Sequence, residues 1–277
     1  MEWDLRRGRW QQALADVEHV DAVIVDAPYS ARTHAGHDAG TGAAKRGDLK
    51  TWRVSKNGRK YLDGGDTCGV VNRRAINYDG WSVDDVRAFV ESWAPRCRGW
   101  FVTITDHVLA PVWAAALENA GRYVFAPLPW VAPGSRVRLG GDGPSCWACW
   151  IVVARPRTGT DRNGRPYSKW GTLPGAYVIN ADRGAHIGGK PIALMEALVR
   201  DYTRPGDLVC DPCAGYGTTL AAAVRHGRRA VGAELDPETH AQALAYLDRH
   251  GRVVDLFAAA PRPVYGGEQL EIGEGER

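Results

Sequence analysis

Short apolar runs alternate with segments whose apolar residues recur at helical spacing along most of this chain. Residues 21–27, Asp-Ala-Val-Ile-Val-Asp-Ala, form a β-branched run closed by polar residues and predict a buried strand. The same reading gives strands at 100–105, 123–131, 146–154, 207–211 and 229–233. Helices fall between them. Residues 82–95 open on Asp84 and Asp85 and place Val83, Val86, Phe89, Val90 and Trp93 at helical spacing. Further helices are predicted over 108–119, after Pro191 with Met195, Leu198, Val199 and Tyr202 on one face, from Thr218 onward, and over 237–251. Residues 2–17 are weakly amphipathic and predict an edge strand and a short helix. Strands and helices alternating at these lengths indicate a wound α/β sheet.

Three segments interrupt the pattern. Residues 30–79 are rich in Gly and poor in aliphatics, and they spread Arg32, Lys45, Arg46, Lys50, Arg53, Lys56, Arg59 and Lys60 among Trp52 and Tyr61. Such a composition cannot build its own core. Residues 132–145, with Arg136 and Arg138, and 155–177, with Arg157, Arg162, Arg165, Lys169 and Trp170, are loop-like and basic. Basic residues interleaved with aromatics suit phosphate contacts, so 31–80 and 132–177 are candidate DNA-recognition loops; the alternative is plain solvated loops.

A length of 277 residues fits one large domain carrying insertions, here 1–260, followed by a flexible tail over 261–277. The net charge of +3 and pI near 8.5 are only mildly basic, so a nucleic-acid surface must be local. Six cysteines without a repeated spacing, no signal peptide and no apolar run long enough to span a bilayer point to a reducing cytoplasm and no membrane. No metal site is expected. Cys146 and Cys149 lie among Trp147, Ala148 and Trp150, as in a strand, and His34 and His37 lack further ligands.

The densest chemistry lies at 207–219, Asp-Leu-Val-Cys-Asp-Pro-Cys-Ala-Gly-Tyr-Gly-Thr-Thr. It predicts a strand ending at Asp211, a turn on Gly215 and Gly217, and a helix from Thr218. Glycine lets backbone take positive φ and approach a ligand closely, and a helix start aims N–H groups at the same space. The next strand delivers Glu234 and Asp236 about 20 residues on, where an acid grips ribose hydroxyls. That is a nucleoside-binding βαβ unit. Near the other end of the chain, a strand closes on Asp26-Ala27-Pro28-Tyr29.

The string from Asp211 to Thr219 resembles the Asp-Pro-Phe-x-Gly-x-Gly-Thr-Thr loop with which amino-group DNA methyltransferases hold S-adenosylmethionine, Cys213 standing where the family has Phe. Asp26 to Tyr29 resembles that family's Asp-Pro-Pro-Tyr catalytic motif, with Ala27 in place of a proline and one φ restraint fewer. His186-Ile187-Gly188-Gly189-Lys190-Pro191 resembles its His-x-x-x-Lys-Pro segment, which closes over the methionine part of the cofactor. Catalytic loop first and cofactor loop last is similar to the circularly permuted beta class.

The resemblance implies a Rossmann-like, seven-stranded sheet with an antiparallel strand near one edge. It implies S-adenosylmethionine held by Asp211, Cys213, Gly215, Gly217, Thr218, Glu234 and Asp236, with Lys190 and His186 at the methionine end. Asp26, Pro28 and Tyr29 would be catalytic: Asp26 orients a target amine and Tyr29 stacks on its base. Arg32, Arg53, Lys56, Arg59, Lys60, Arg136, Arg138, Arg162 and Arg165 would touch duplex DNA. Asp at the first motif position leans to the N6 amine of adenine over cytosine N4. A methyltransferase of RNA or protein, a noncatalytic DNA-binding relative, a homodimer and a cognate restriction nuclease stay open. Pro212-Cys213 also matches the nucleophile of cytosine-C5 enzymes, but here the cysteine sits inside the cofactor loop, against that chemistry.

Overall fold

The computed structural model describes residues 2–34, 78–133, 146–181 and 189–251, together with the backbone of 50–54 and 60–67. Its centre is one sheet. Strands β1 (Trp3–Arg7), β11 (Arg229–Glu234), β10 (Leu208–Asp211), β2 (Val20–Asp26) and β5 (Cys97–Thr105) run parallel in that spatial order. Then β8 (Ala148–Pro156) pairs antiparallel with β5, and β6 (Arg122–Val124) and β7 (Leu128–Val131) pair antiparallel with β8. The two-residue β9 (Tyr177–Val178) ends the row beside β7. β3 (Lys50–Val54) and β4 (Lys60–Thr67) form a separate antiparallel hairpin.

The sheet is wider than the seven strands expected. The single strand predicted over 123–131 is two, because Pro127 has no N–H to give the ladder and the chain steps out of register around it. The hairpin falls within 30–79, read from composition as loop.

Alternation along the strands explains the layering. On β2, Ala22 and Ile24 face one side while Val23 and Val25 face the other; on β5, Trp100, Val102 and Ile104 oppose Phe101. The first face is covered by α4 (Ile192–Tyr202), α5 (Thr218–Arg225) and α6 (Pro237–His250), through Leu194, Met195, Leu198, Leu220 and Leu247. The second is covered by α2 (Val83–Trp93) and α3 (Ala110–Asn119), where Phe89 packs edge-on against Trp10, Phe101 and Trp113. A four-residue helix, α1 (Trp10–Ala13), follows the edge strand β1.

Helix ends obey local chemistry. Ser82 and Asp85 form a reciprocal capping box at the start of α2, which leaves Val83 in the first turn and exposed rather than on the buried face. α4 begins directly after Pro191, which fits a residue with no N–H to satisfy.

Residues 155–177 are more than a surface loop. Tyr167 and Trp170 are buried, their rings stack, and Trp170 Nε1–H donates to the carbonyl of Asp201 at 2.7 Å. This segment fills the first core at the amino-terminal ends of the strands, where Tyr167 meets Gly99. Among the described residues no helix is long and apolar enough to cross a membrane.

Candidate active site

The chain order of the strands creates one opening. From β10 the chain crosses to β11 on one side, and from β2 it crosses to β5 on the other, so the direction of winding reverses between β10 and β2. Ligands of open α/β sheets lie outside the carboxyl ends of strands at such a reversal. Asp211 closes β10 and Asp26 closes β2, side by side at that end.

The turn after Asp211 is built on its glycines. Gly215 has φ +52° and Gly217 has φ +76°, both in the left-handed region. A Cβ at Gly215 would meet no protein atom within 4 Å, so that face of the turn is open. A Cβ at Gly217 would press on Leu247 at 3.2 Å, so there the bare backbone lets α6 close in. Gly217 caps α5, which starts at Thr218.

Glu234, at the end of β11, accepts the N–H of Gly215 on Oε2 at 2.9 Å and that of Asp236 on Oε1 at 2.8 Å. The acid thus grips the glycine turn itself. Asp236 acts as the N-cap of α6, accepting the N–H of Thr239 at 2.7 Å. Burial raises the carboxyl of Asp211 to about 7; the Thr219 hydroxyl and Cys213 N–H oppose this, and the charges of Asp26 and Glu234 add to it. Glu234 is raised as well, by burial first. Burial and the same acids hold the Cys213 thiol well above its ordinary value, so it stays protonated and is a poor nucleophile.

On the other side, Asp26 has two different oxygens. Oδ2 accepts from the Lys190 ammonium at 2.5 Å, while Oδ1 is buried without a hydrogen-bond partner. Burial raises this carboxyl, against the pull of Lys190 and Tyr29. The Lys190 ammonium also lies 4.9 Å from the centre of the Tyr29 ring, and the Tyr29 hydroxyl points to Cys149 Sγ at 3.5 Å.

Ala27 has no ring to restrain its φ, and the loop is held from outside. Asp106, just past β5, accepts from the Ser30 N–H at 2.9 Å and from the Ser30 and Thr33 hydroxyls at 2.5 Å each. Its other oxygen accepts the N–H groups of Val108 and Leu109 at 3.0 and 2.9 Å. The Trp81 N–H donates to the Tyr29 carbonyl at 2.9 Å, and Ser30 bridges Trp81. This strap brings the exposed Tyr78 ring against His34, with Asp26, Glu234 and Cys213 in its electrostatic surroundings.

At the end of a strand and ahead of a helix, Asp106 reads from the sequence equally as a ligand residue or a helix cap, and Tyr78 and Trp81 do not stand out. The signal was present in Asn-Tyr-Asp-Gly-Trp, aromatic residues around a glycine just ahead of a helix cap. Of the expected DNA contacts, Arg32 is exposed one turn beyond Tyr29. Arg162 reaches the Pro205 carbonyl and crowds Gly206, and Arg165 sits in the same Asp161-centred turn. Both therefore lie at the amino-terminal end of the strands, opposite Asp26, because Tyr167 and Trp170 anchor their loop there. The backbone of Arg53 and Lys60 belongs to the hairpin. Lys56, Arg59, Arg136, Arg138, His186 and the tail 261–277 lie outside the described residues.

The chain is similar to several known proteins. The N6/N4 family model described as DNA methylase matches residues 149–245. The type II methyltransferase M.HindIII of Haemophilus influenzae is 25% identical over 284 residues, covering 79% of this chain and 86% of that protein. The DNA adenine methyltransferase YhdJ of Escherichia coli is 40% identical over 63 residues, 23% of this chain and 21% of that protein. Such higher-identity matches are short, spanning less than a quarter of the relatives concerned. Among solved structures, that of the M1.HpyAVI–SAM complex superposes with a TM-score of 0.60 at 18% identity, covering 89% of this chain and 99% of that one. At that identity the likeness is one of fold.

Proposed function

We propose that this chain is an amino-group DNA methyltransferase that transfers a methyl group from S-adenosylmethionine to the N6 amine of adenine in duplex DNA. The observation that carries the reading is Asp26 Oδ1, a buried acceptor without a partner, one strand away from a glycine turn whose Gly215 face is open. Leaving such an oxygen unsatisfied costs about 1–3 kcal/mol, and a donor brought by a ligand removes that cost.

The residues fit the cofactor. Asp211 and Glu234 supply the acidic surroundings that a sulfonium and an ammonium require, and the open Gly215 face gives a nucleoside room to approach. Asp211, Cys213, Gly215, Gly217, Thr218 and Glu234 would line it, with Asp236 behind them through α6. When bound, S-adenosylmethionine supplies a methyl group attached to a positively charged sulfur.

The protein's own part is to place the amine. Asp26 Oδ1 accepts an amine hydrogen, which fixes the lone pair in direction and stabilises the positive charge that the nitrogen gains. Pro28 fixes the turn, and Tyr29 offers a ring for the target base. A base inside a duplex turns its amine to its pairing partner, so it must leave the stack, at a few kcal/mol that stacking on Tyr29 partly offsets.

Adenine is favoured over cytosine by the aspartate at the head of the catalytic loop and by the relative named as an adenine methyltransferase. The test is to incubate the protein with labelled cofactor and genomic DNA, digest to nucleosides and identify the labelled base. N6-methyladenine is expected; N4-methylcytosine, or full activity in Asp26→Ala, would overturn the assignment.

A further inference from the structure

Lys190 stands beside the place of a target amine, on the other oxygen of Asp26. Its ammonium donates to Asp26 Oδ2 at 2.5 Å and hangs 4.9 Å from the centre of the Tyr29 ring, touching both groups that the reading above assigns to the target. It is a cation where the reaction itself develops positive charge on nitrogen. With Lys190 so placed, an amine turning positive at Asp26 meets a like charge within a few ångströms, and its stabilisation by the carboxylate is shared. Lys190 must leave Asp26 for the site to work at full strength.

The surroundings say where it goes. Asp26, Asp211 and Glu234 converge at the ends of three adjacent strands, and the charges of Asp26 and Glu234 add to the proton affinity that burial gives Asp211. Such a cleft attracts the sulfonium and ammonium of the cofactor and repels its carboxylate. A cation is needed for that carboxylate, and Lys190 is anchored for it: it lies two residues before α4, whose neighbour α5 carries the glycine turn. We infer that Lys190 exchanges partners, leaving Asp26 for the carboxylate of the arriving cofactor, so that cofactor binding removes the cation from beside the target amine's place and the target is taken up second. Lys190 is then a positioning residue that couples the two halves of the cleft. The inference rests on the cofactor assignment above.

The test uses S-adenosylhomocysteine, which keeps the carboxylate and lacks the methyl group, with calorimetry on the full chain and no turnover. If Lys190 must break from Asp26 to bind it, Asp26→Asn tightens binding roughly threefold or more, the scale of a partly exposed ion pair. Lys190→Met weakens binding, and adding Asp26→Asn to it has little further effect, because the competition has gone. The α-carboxamide of the same ligand loses the response to Asp26→Asn. Unchanged or weaker binding in Asp26→Asn, or equal tightening with and without Lys190, overturns the exchange while leaving the cofactor site standing. No heat of binding in the wild-type protein overturns both.

Discussion

Asp106 holds Ser30: one carboxylate oxygen takes both the backbone N–H and the hydroxyl of the residue that follows Asp26-Ala27-Pro28-Tyr29, and takes the Thr33 hydroxyl as well. The other oxygen caps the turn after β5. The loop that follows β2, with alanine ahead of Pro28, is thereby braced by hydrogen bonds.

Removing the brace has a defined outcome. Asp106→Ala strands several donors and costs about 1–3 kcal/mol of stability, read in thermal melting, and it lowers turnover more than it changes cofactor affinity. Asp106→Asn keeps one acceptor oxygen and is milder on both counts. Burial raises the Asp106 carboxyl, but the Ser30 and Thr33 hydrogen bonds outweigh it and hold the group below its usual range, so the brace is complete above about pH 4 and gives way only in stronger acid.

Cofactor binding should depend on pH through Asp211, whose carboxyl titrates at about 7. A ligand carrying a sulfonium and an ammonium favours the ionised form, so binding near pH 7 releases a proton and affinity falls as pH drops further. Calorimetry in buffers of different ionisation enthalpy reads the released proton directly. Asp211→Asn removes the dependence and weakens binding above pH 7.

The segment 155–177 separates core from recognition. Trp170→Ala, in a site only 6% exposed, costs about 3–5 kcal/mol of stability. Arg165→Ala, at the far end of the strands from Asp26, leaves DNA affinity and its salt dependence as they were. A flattened salt slope in Arg165→Ala would place DNA on that face.

The basic residues between 53 and 60 make the opposite case. Replacing Arg53, Lys56, Arg59 and Lys60 with glutamine should weaken DNA binding and flatten the plot of log affinity against log salt, by up to about 0.9 for each phosphate that is no longer neutralised. An unchanged slope means the segment serves another purpose.

Much of this was legible beforehand, for physical reasons that differ by element. Strands β2, β10 and β11 are largely buried, so their short apolar runs stand out, and Asp26, Asp211 and Glu234 follow because each is the polar residue that ends such a run. Gly215 and Gly217 were readable because only glycine suits their φ. What periodicity cannot carry is a contact between distant residues. Asp106 bonds Ser30 across 76 positions and Lys190 bonds Asp26 across 164, and neither pairing leaves a trace in spacing. The aromatic anchors Tyr167 and Trp170 were missed because they sit among arginines and glycines, a composition that reads as solvent-facing until the side chains are seen to turn inward.

The order of strands also sets a timetable. β2 leaves the ribosome with β5 soon to follow on one side, but its other neighbour, β10, begins 182 residues after Asp26 at Leu208. β1 waits longer still, for β11. Until then the strand bearing Asp26 has a bare edge of unpaired N–H and C=O groups beside an unfinished core, the condition in which nascent chains pair wrongly or need a chaperone. Contacts that span most of a chain close slowly. For this protein, assembly of the cleft and completion of the fold are therefore one late event, which waits for the glycine turn and Glu234 to be made.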